Sequence, residues 1–187
     1  MIKKIVVILL GFFVVSTCFG SISNNITWRI PNKKVMQELL LCQAKGLRKT
    51  LCVSNIMQKY DANQKAIAFT KTMQGRDFAT KVKELGRNVS YIQTVEIGAD
   101  HSSGAFLIDS TGKIINLNDY ALLKQLNPLI WPKVYPNCQT MVSGNGKLMV
   151  VCRYDAKTCN ACKAEGRIPV AFLFDKGGKF VKAVEAK

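Results

Sequence analysis

The sequence contains little acid and almost no histidine. Of its 187 residues, 12 are Asp or Glu and one is His, against 27 Lys or Arg, which gives a net charge of +15. No phosphate-binding glycine loop, His-Glu-x-x-His motif or EF-hand loop occurs. The familiar signatures of P-loop nucleotidases, zinc peptidases and calcium sensors are therefore missing, and the sequence indicates no cofactor and no metal site.

Long apolar runs are also lacking, apart from one near the N-terminus. Lys3 and Lys4 precede an apolar run at residues 5–15, and Cys18 and Gly20 supply the small residues before the expected cut after Gly20. A basic head, an apolar stretch of about 7–15 residues and a small-residue exit are typical of a secretory signal peptide. A membrane-spanning helix needs about 20 apolar residues. We therefore expect a signal peptide at 1–20, no transmembrane segment after its cleavage, and a periplasmic or secreted protein. A lipid anchor at Cys18 is the minor alternative.

The excess of positive charge indicates an anionic partner. The signal peptide carries two lysines and no acid, so the mature chain keeps a net charge of +13. Such a charge favours an anionic envelope or host surface, or an acidic protein. Nucleic acid is not expected, because the exported chain shows no recognition motif. The alternative is that the scattered charges serve solubility alone.

Six cysteines remain after the signal peptide, and an even number in an exported chain indicates disulfide bonds. Cys42 and Cys52 lie ten residues apart on either side of Gly46. Two antiparallel helices joined by a tight connection would bring these two cysteines together. We therefore expect a Cys42–Cys52 bond, with two buried free thiols as the alternative.

Cys138 and Cys152 are placed symmetrically about a turn. Gly144-Asn145-Gly146 is a strong turn signal, and a three-residue loop centred on Asn145 pairs residue 138 with residue 152. Directly opposed strand residues have Cβ atoms about 4.5–5.5 Å apart, close to the separation that a disulfide prefers. The spacing therefore predicts a cross-strand Cys138–Cys152 bond.

The first half of the mature chain shows mainly helical periodicity. After a flexible lead-in at 21–31, we expect helices from Asn32 to Gly46 and at about 47–60, and a third helix capped by Asp61. Phe78, Val82 and Leu85 then recur at helical spacing, which predicts a fourth helix at 77–86. The helical part thus covers 32–86.

From residue 89 onwards the apolar period changes to two, which indicates strands. We expect a strand at 89–97, hairpins at 105–117, 138–152 and 170–184, a short helix at 119–126, and an extended connector with a buried tryptophan at 127–136. The sequence predicts one α+β domain at 32–187. Its N-terminal helical region packs on a mainly antiparallel sheet at 89–187, built from hairpins and stabilised by disulfides.

Two of these hairpins resemble each other. Residues 105–109 and 112–114 match residues 171–175 and 178–180 at a constant separation of 66 residues. Asp109 and Asp175 begin the two turns, where an aspartate usually bonds the local backbone; paired catalytic carboxylates are the alternative. We attribute the likeness to convergence, because an apolar strand, an Asp-containing turn and a return strand that begins with Lys form a common pattern. The alternative is an internal duplication of a small β-meander.

Cys159-Asn160-Ala161-Cys162 is the only recognisable chemical motif. If Thr158 caps a short helix to Glu165, Cys159 lies in its first turn, where the helix dipole and Lys157 favour a thiolate. Cys159 would then be the nucleophile and Cys162 the resolving thiol of a disulfide exchange. However, catalytic motifs of this kind usually open a long helix early in a domain. We therefore expect a structural role, either as a local Cys159–Cys162 bond or by bonds to Cys138 and Cys152; a four-cysteine zinc site is a further alternative.

His101, the only histidine, lies in a polar loop at 98–104. One hypothesis makes His101 the catalytic base of a secreted hydrolase. The simpler interpretation is that His101 is an exposed loop residue without a catalytic role. Taken together, these patterns favour an exported, basic, disulfide-stabilised binding or assembly protein of the bacterial envelope or the extracellular space, without catalysis. The alternative is a periplasmic thiol-disulfide oxidoreductase that uses Cys159 and Cys162.

Overall fold

The computed structural model describes residues 26–74, 77–96, 104–133 and 136–186, which form helices and two antiparallel sheets. Within these residues the helices are α1 (Asn32–Ala44), α2 (Lys49–Lys59), α3 (Gln64–Thr72) and α4 (Tyr120–Leu126). The first sheet has the order β1 (Ile26–Arg29), β2 (Asp77–Gly86), β3 (Val89–Glu96), β4 (Ala105–Ile108) and β5 (Ile114–Asn116). The second sheet contains β6 (Ile130–Trp131), β7 (Asn137–Val142), β8 (Leu148–Ala156), β9 (Gly166–Phe174) and β10 (Phe180–Glu185), with β6 and β7 both paired to β8. The fold is α+β, as the sequence predicts.

The first sheet is the middle of three layers. On one face, Ile92 of β3 belongs to an apolar core shared with α1, α2 and α3. On the other face, Val89 and Tyr91 of the same strand belong to a core shared with β8 and β9 of the second sheet. Because successive strand residues point to opposite faces, one strand supplies both cores. The helices and the second sheet are therefore held together through the first sheet.

The core on the helical side is built from α1, α2, α3 and β2. Its fully buried members include Val35, Leu39, Cys52, Phe69, Phe78 and Val82. The Cys42–Cys52 bond, with Cα atoms 5.7 Å apart, joins α1 to α2 at this core. This confirms the predicted bond and excludes the free thiols.

The core between the two sheets is built around Tyr154 of β8, which is fully buried. The Tyr154 hydroxyl donates a 2.7 Å hydrogen bond to the Leu117 carbonyl oxygen, so its polar end is satisfied. Burial, with a smaller contribution from Tyr91, raises the pKa of Tyr154 far above its ordinary value. This tyrosine is a neutral part of the core, and Leu123 of α4 and Ile130 of β6 complete the core beside it.

The fourth predicted helix is wrong, because residues 77–86 form strand β2. The helical spacing of Phe78, Val82 and Leu85 arises from a strand that is covered on both faces. Val82 packs against the helices, whereas Leu85 packs against the second core. A β-bulge between Ala79 and Lys81 also interrupts the alternation. The helices of the N-terminal part therefore end at Thr72, not at residue 86.

Two smaller predictions in the N-terminal part are also wrong. The lead-in contains a strand, β1, whose Trp28 and Arg29 pair with β2; residues 21–25 lie outside the described residues. The cap of α3 is Asn63, whose side chain accepts a 2.8 Å hydrogen bond from the Lys65 amide. Asp61, which the sequence predicts as the cap, lies two residues before Asn63 in a turn and has positive φ.

The predictions for the second half are largely confirmed. Strand β3, the hairpins β4–β5 and β9–β10, and helix α4 lie at the expected places. The Asp119 side chain caps α4 by accepting from the Leu122 amide at 3.1 Å. In the connector, β6 adds a short pairing to β8, and Trp131 is half-buried rather than buried. The signal peptide and His101 lie outside the described residues and stay predictions.

Candidate functional site

The Cys159–Cys162 pair lies in the connection between β8 and β9. The two cysteines form a local disulfide with Cα atoms 5.1 Å apart, which is one of the two predicted structural roles. Residues 157–165 form turns and irregular chain, so the predicted helix at this motif is wrong. Strands β8 and β9 are antiparallel neighbours, and this connection joins them. The Glu165 amide closes the connection by donating to the Ala156 carbonyl oxygen at 2.9 Å. That short return leaves no room for a helix.

Neither a helix nor a dedicated contact from Lys157 activates the Cys159 sulfur in this structure. Without a helix, no macrodipole acts on Cys159. The Lys157 ammonium donates to the Asn160 carbonyl oxygen at 2.8 Å and lies 5.3 Å from the centre of the Trp131 ring. It is therefore engaged with groups other than sulfur. The polar neighbour of Cys162 Sγ is the Thr158 hydroxyl at 3.5 Å. Cys159 itself is exposed, so a soluble reductant can reach it.

The Cys138–Cys152 bond lies where the turn symmetry places it. In the register of β7 and β8, Cys138 faces Cys152 and Thr140 faces Val150. The Ser143 amide donates to the Lys147 carbonyl oxygen at 3.0 Å and closes the loop around Asn145. The bond is confirmed. Because all four cysteines of this region are bonded in pairs, a four-cysteine zinc site is excluded for them.

The two related hairpin turns have the same internal bonding. Asp109 Oδ1 accepts from the Thr111 and Lys113 amides at 2.8 and 2.9 Å, and Asp175 Oδ1 accepts from the Gly177 and Lys179 amides at 2.9 Å each. Both aspartates therefore stabilise their turns, as predicted. These bonds give both aspartates structural partners, and they lend no support to the alternative of paired catalytic carboxylates.

A basic cleft opens between β2 of the first sheet and β7 of the second. We use the name basic cleft for this space of about 180 Å³, which is lined by Lys81, Lys83, Leu85, Tyr91, Gln93, Pro136, Asn137, Cys138, Thr140 and Val150. Lys81, Lys83 and Leu85 occupy every second position of β2, so all three side chains lie on the face of the strand that lines the cleft. On the opposite wall β7 presents polar side chains, held in place by its disulfide to β8.

The electrostatics of the cleft are unbalanced. Burial lowers the pKa of Lys81, and the positive charges of Arg29 and Lys83 lower it further. Arg29 is the strand neighbour of Lys81 across β1 and β2. Within the described part of the chain, the ion pairs formed by lysines involve Lys59, Lys65 and Lys133, none of which lines the cleft. An anionic group in the cleft would therefore relieve a repulsion between fixed cations.

Sequence reasoning missed this cleft. The sequence signal for the cleft is the spacing of Lys81 and Lys83, which are two residues apart. In a helix two such residues point about 200° apart, whereas in a strand they lie on the same face. The assignment of 77–86 to a helix hid that signal. The opposite wall comes from residues more than fifty positions away, and no local pattern links them to β2.

In the described residues, no cluster of His, Cys, Asp and Glu side chains is suited to hold a metal ion, and no helix is long and apolar enough to cross a bilayer. The chain matches no protein-family model, no curated protein and no solved structure.

Proposed function

We propose that this chain is an exported, disulfide-stabilised basic protein that binds an anionic group of a partner in the bacterial envelope or outside the cell. The basic cleft is the observation that carries the proposal. Lys81 and Lys83 are held beside Arg29 on a rigid sheet, and the cleft offers hydrogen-bonding partners on both walls. A carboxylate or a phosphate group has the charge and the acceptor atoms for this site.

The disulfides and the charge support a location in an oxidising compartment. The three bonds use all six cysteines of the mature chain, and such bonds persist in the periplasm and the exterior. Together with the N-terminal leader pattern, they favour export. A non-catalytic role agrees with the bonded state of the cysteines and with the backbone hydrogen bonds of Asp109 and Asp175 in their own turns.

The test is a titration of the mature, oxidised protein followed by amide resonances in NMR, with inorganic phosphate and with a short polyglutamate peptide as separate probes. We expect shifts centred on β2, β3 and β7. Lys81→Gln together with Lys83→Gln should weaken binding at least tenfold, because two charged hydrogen bonds are lost. Tighter binding of the peptide would indicate an acidic protein partner, and tighter binding of phosphate a phosphate-bearing polymer.

The matched control removes two charges elsewhere. Lys176→Gln with Lys182→Gln changes two lysines of the β9–β10 hairpin that do not line the cleft. This change should alter affinity by no more than about twofold, because salt screens long-range attraction. Equal weakening by both double variants would show attraction to net charge alone and would remove the cleft from the proposal.

A second candidate function is thiol-disulfide exchange, and the exposure of Cys159 is the observation that favours it. In that reaction a substrate thiolate attacks one sulfur of the Cys159–Cys162 bond, and the other sulfur leaves as a thiolate. The binding function predicts no catalysed reduction of insulin in the presence of dithiothreitol. Turnover that Cys159→Ser abolishes would replace the binding function with this one.

A further inference from the structure

Four leucines are exposed around the turn that joins α1 to α2. We call this surface the leucine tip: Leu40, Leu41, Leu47 and Leu51, with exposed fractions of 64, 63, 39 and 47%. Leu40 and Leu41 line one recess, and Leu41 and Leu47 line the next, so these three side chains share a continuous surface. Leu51 follows in the first turn of α2. Clusters of exposed large apolar side chains in a folded protein mark interaction sites.

The burial pattern of α1 and α2 explains why these leucines face outward. On α1, Val35 and Leu39 enter the core, and Leu40 and Leu41 follow on the opposite side of the helix. On α2 the buried residues are Cys52, Val53, Ile56 and Met57, and Leu51 lies away from them. The Cys42–Cys52 bond fixes the two helices at the tip. The leucines are therefore presented on a rigid support and not on a disordered end.

Basic residues flank the leucines along the chain, and two of them, Lys34 and Lys45, line the same recesses as the leucines. Between Asn32 and Leu51 the chain has five basic residues and one acidic residue, and the basic ones are Lys33, Lys34, Lys45, Arg48 and Lys49. The single acid, Glu38, is already engaged by the Lys59 ammonium, whose hydrogen bond lowers the pKa of Glu38. The tip thus combines exposed aliphatic side chains with an excess of positive charge.

This combination fits an anionic lipid surface better than a protein. The buried centres of protein interfaces are enriched in aromatic residues and poor in lysine, whereas the leucine tip has four leucines and is bordered mostly by lysines. Elements that lie in a membrane interface carry Leu on the apolar face and Lys or Arg around it. We propose that the leucine tip docks the protein on a membrane rich in anionic phospholipids, with the leucines entering the acyl boundary and the basic residues contacting headgroups.

The test is co-sedimentation of the mature, oxidised protein with vesicles of phosphatidylglycerol or of phosphatidylcholine, at about 0.1 M salt. We expect binding to the anionic vesicles only. Leu40→Ser with Leu41→Ser should lower the vesicle partition constant at least tenfold, because two largely exposed leucines no longer enter lipid. Lys45→Gln with Arg48→Gln should also lower the partition constant, and raising the salt should weaken what remains.

Matched controls separate the tip from general properties of the protein. Val181→Ser removes an apolar side chain that is 59% exposed on β10 and should leave vesicle binding unchanged. Lys176→Gln with Lys182→Gln removes two charges away from the tip and should weaken binding less than the tip charge variant. Equal urea midpoints of unfolding would show that Leu40→Ser with Leu41→Ser leaves the fold intact.

The outcomes distinguish this proposal from the anion site of the basic cleft. Lys81→Gln with Lys83→Gln should lose phosphate or peptide binding and keep vesicle binding, and the leucine variant should do the reverse. Equal binding to both vesicle types, or unchanged binding of the leucine variant, overturns the membrane assignment. So does a concentration-dependent dimer that the leucine variant abolishes in the absence of vesicle binding, since the tip would then pair with a second copy.

Discussion

Asp109 and Asp175 occupy matching positions in two similar hairpins, but their tertiary contacts differ. Asp109 and Asp175 each organise their own hairpin turn with one carboxylate oxygen. The second oxygen of Asp109 also accepts from the Phe180 amide at 2.9 Å, on the other hairpin. Asp109 is buried, with 3% of its surface exposed. It therefore joins the two sheets, whereas Asp175 acts only locally in the bonds described for it.

Ionisation of Asp109 should contribute to stability at neutral pH. Burial alone would raise the pKa of Asp109, but hydrogen bonds from Thr111, Phe180 and Lys113 outweigh it and hold the pKa below its ordinary value of 3.8. Since the folded-state pKa is lower than the unfolded one, this contribution is complete above about pH 5. It is lost as the pH falls towards the folded-state pKa.

We therefore expect Asp109→Asn to lower the free energy of unfolding by about 1–3 kcal/mol at pH 7, because the amide nitrogen cannot accept from Phe180. Asp175→Asn, which leaves the cross-sheet bond intact, should cost at most about 1 kcal/mol. Urea unfolding at pH 7 and at pH 3.5 measures both. The loss caused by Asp109→Asn should shrink at the lower pH, and a loss that is the same at both pH values would contradict the ionic role.

At the scale of elements, the two related hairpins interlock. Beside the Asp109 bond, the Ser110 amide donates to the Gly178 carbonyl oxygen at 3.1 Å, and the Lys113 ammonium lies 5.1 Å from the centre of the Phe180 ring. Arg87, from the β2–β3 turn, packs against Gly178. The likeness of the two hairpins therefore coincides with direct contact between their turns.

Gly178→Ala and Gly112→Ala form a matched test of this contact. Both glycines have positive φ, +85° and +86°, at the same place in the two turns. Each alanine should lose about 1–2 kcal/mol of stability from the left-handed backbone alone. A Cβ at Gly178 would also overlap the Arg87 carbonyl oxygen, whereas a Cβ at Gly112 meets open space. Gly178→Ala should therefore cost about 1–3 kcal/mol more. Similar urea midpoints for the two variants would show that the turns separate freely.

At the scale of the whole molecule, the shared middle sheet should make unfolding cooperative. Trp28 packs against the helical-side core and donates to the Tyr60 carbonyl oxygen at 3.0 Å, whereas Trp131 lies in the second sheet. Neither core can form without β3, because Ile92 and Val89 of that strand belong to different cores.

The cooperativity can be measured with two single-tryptophan variants. Trp131→Phe leaves Trp28 as the fluorescent reporter of the helical side, and Trp28→Phe leaves Trp131 as the reporter of the second sheet. In each variant the fluorescence midpoint in urea should coincide with its own far-UV circular dichroism midpoint. Separate transitions in either variant would show that the helices and the second sheet unfold independently.

The parts of the fold that could be predicted depend on contacts close in sequence. The symmetry about Asn145 places Cys138 opposite Cys152 because hairpin pairing is set by the turn. Helices α1 and α2 and the Cys42–Cys52 bond follow from apolar spacing around Gly46. The interpretation of β2 failed because a strand covered on both faces loses the polar–apolar alternation that identifies strands.

By itself the sequence determined the charge of the chain, the leader pattern, the hairpins, the α+β class and the pairing of Cys42 with Cys52 and Cys138 with Cys152. All of these rest on composition or on neighbours within about fourteen residues. Only the tertiary structure decided that the first sheet lies between two layers, that Asp109 reaches Phe180, and that Lys81 and Lys83 face β7 across a cleft. Those features depend on residues that lie far apart in the chain and meet only in the folded protein. For β2, burial on both faces also removes the polar–apolar alternation by which a strand is recognised in a sequence.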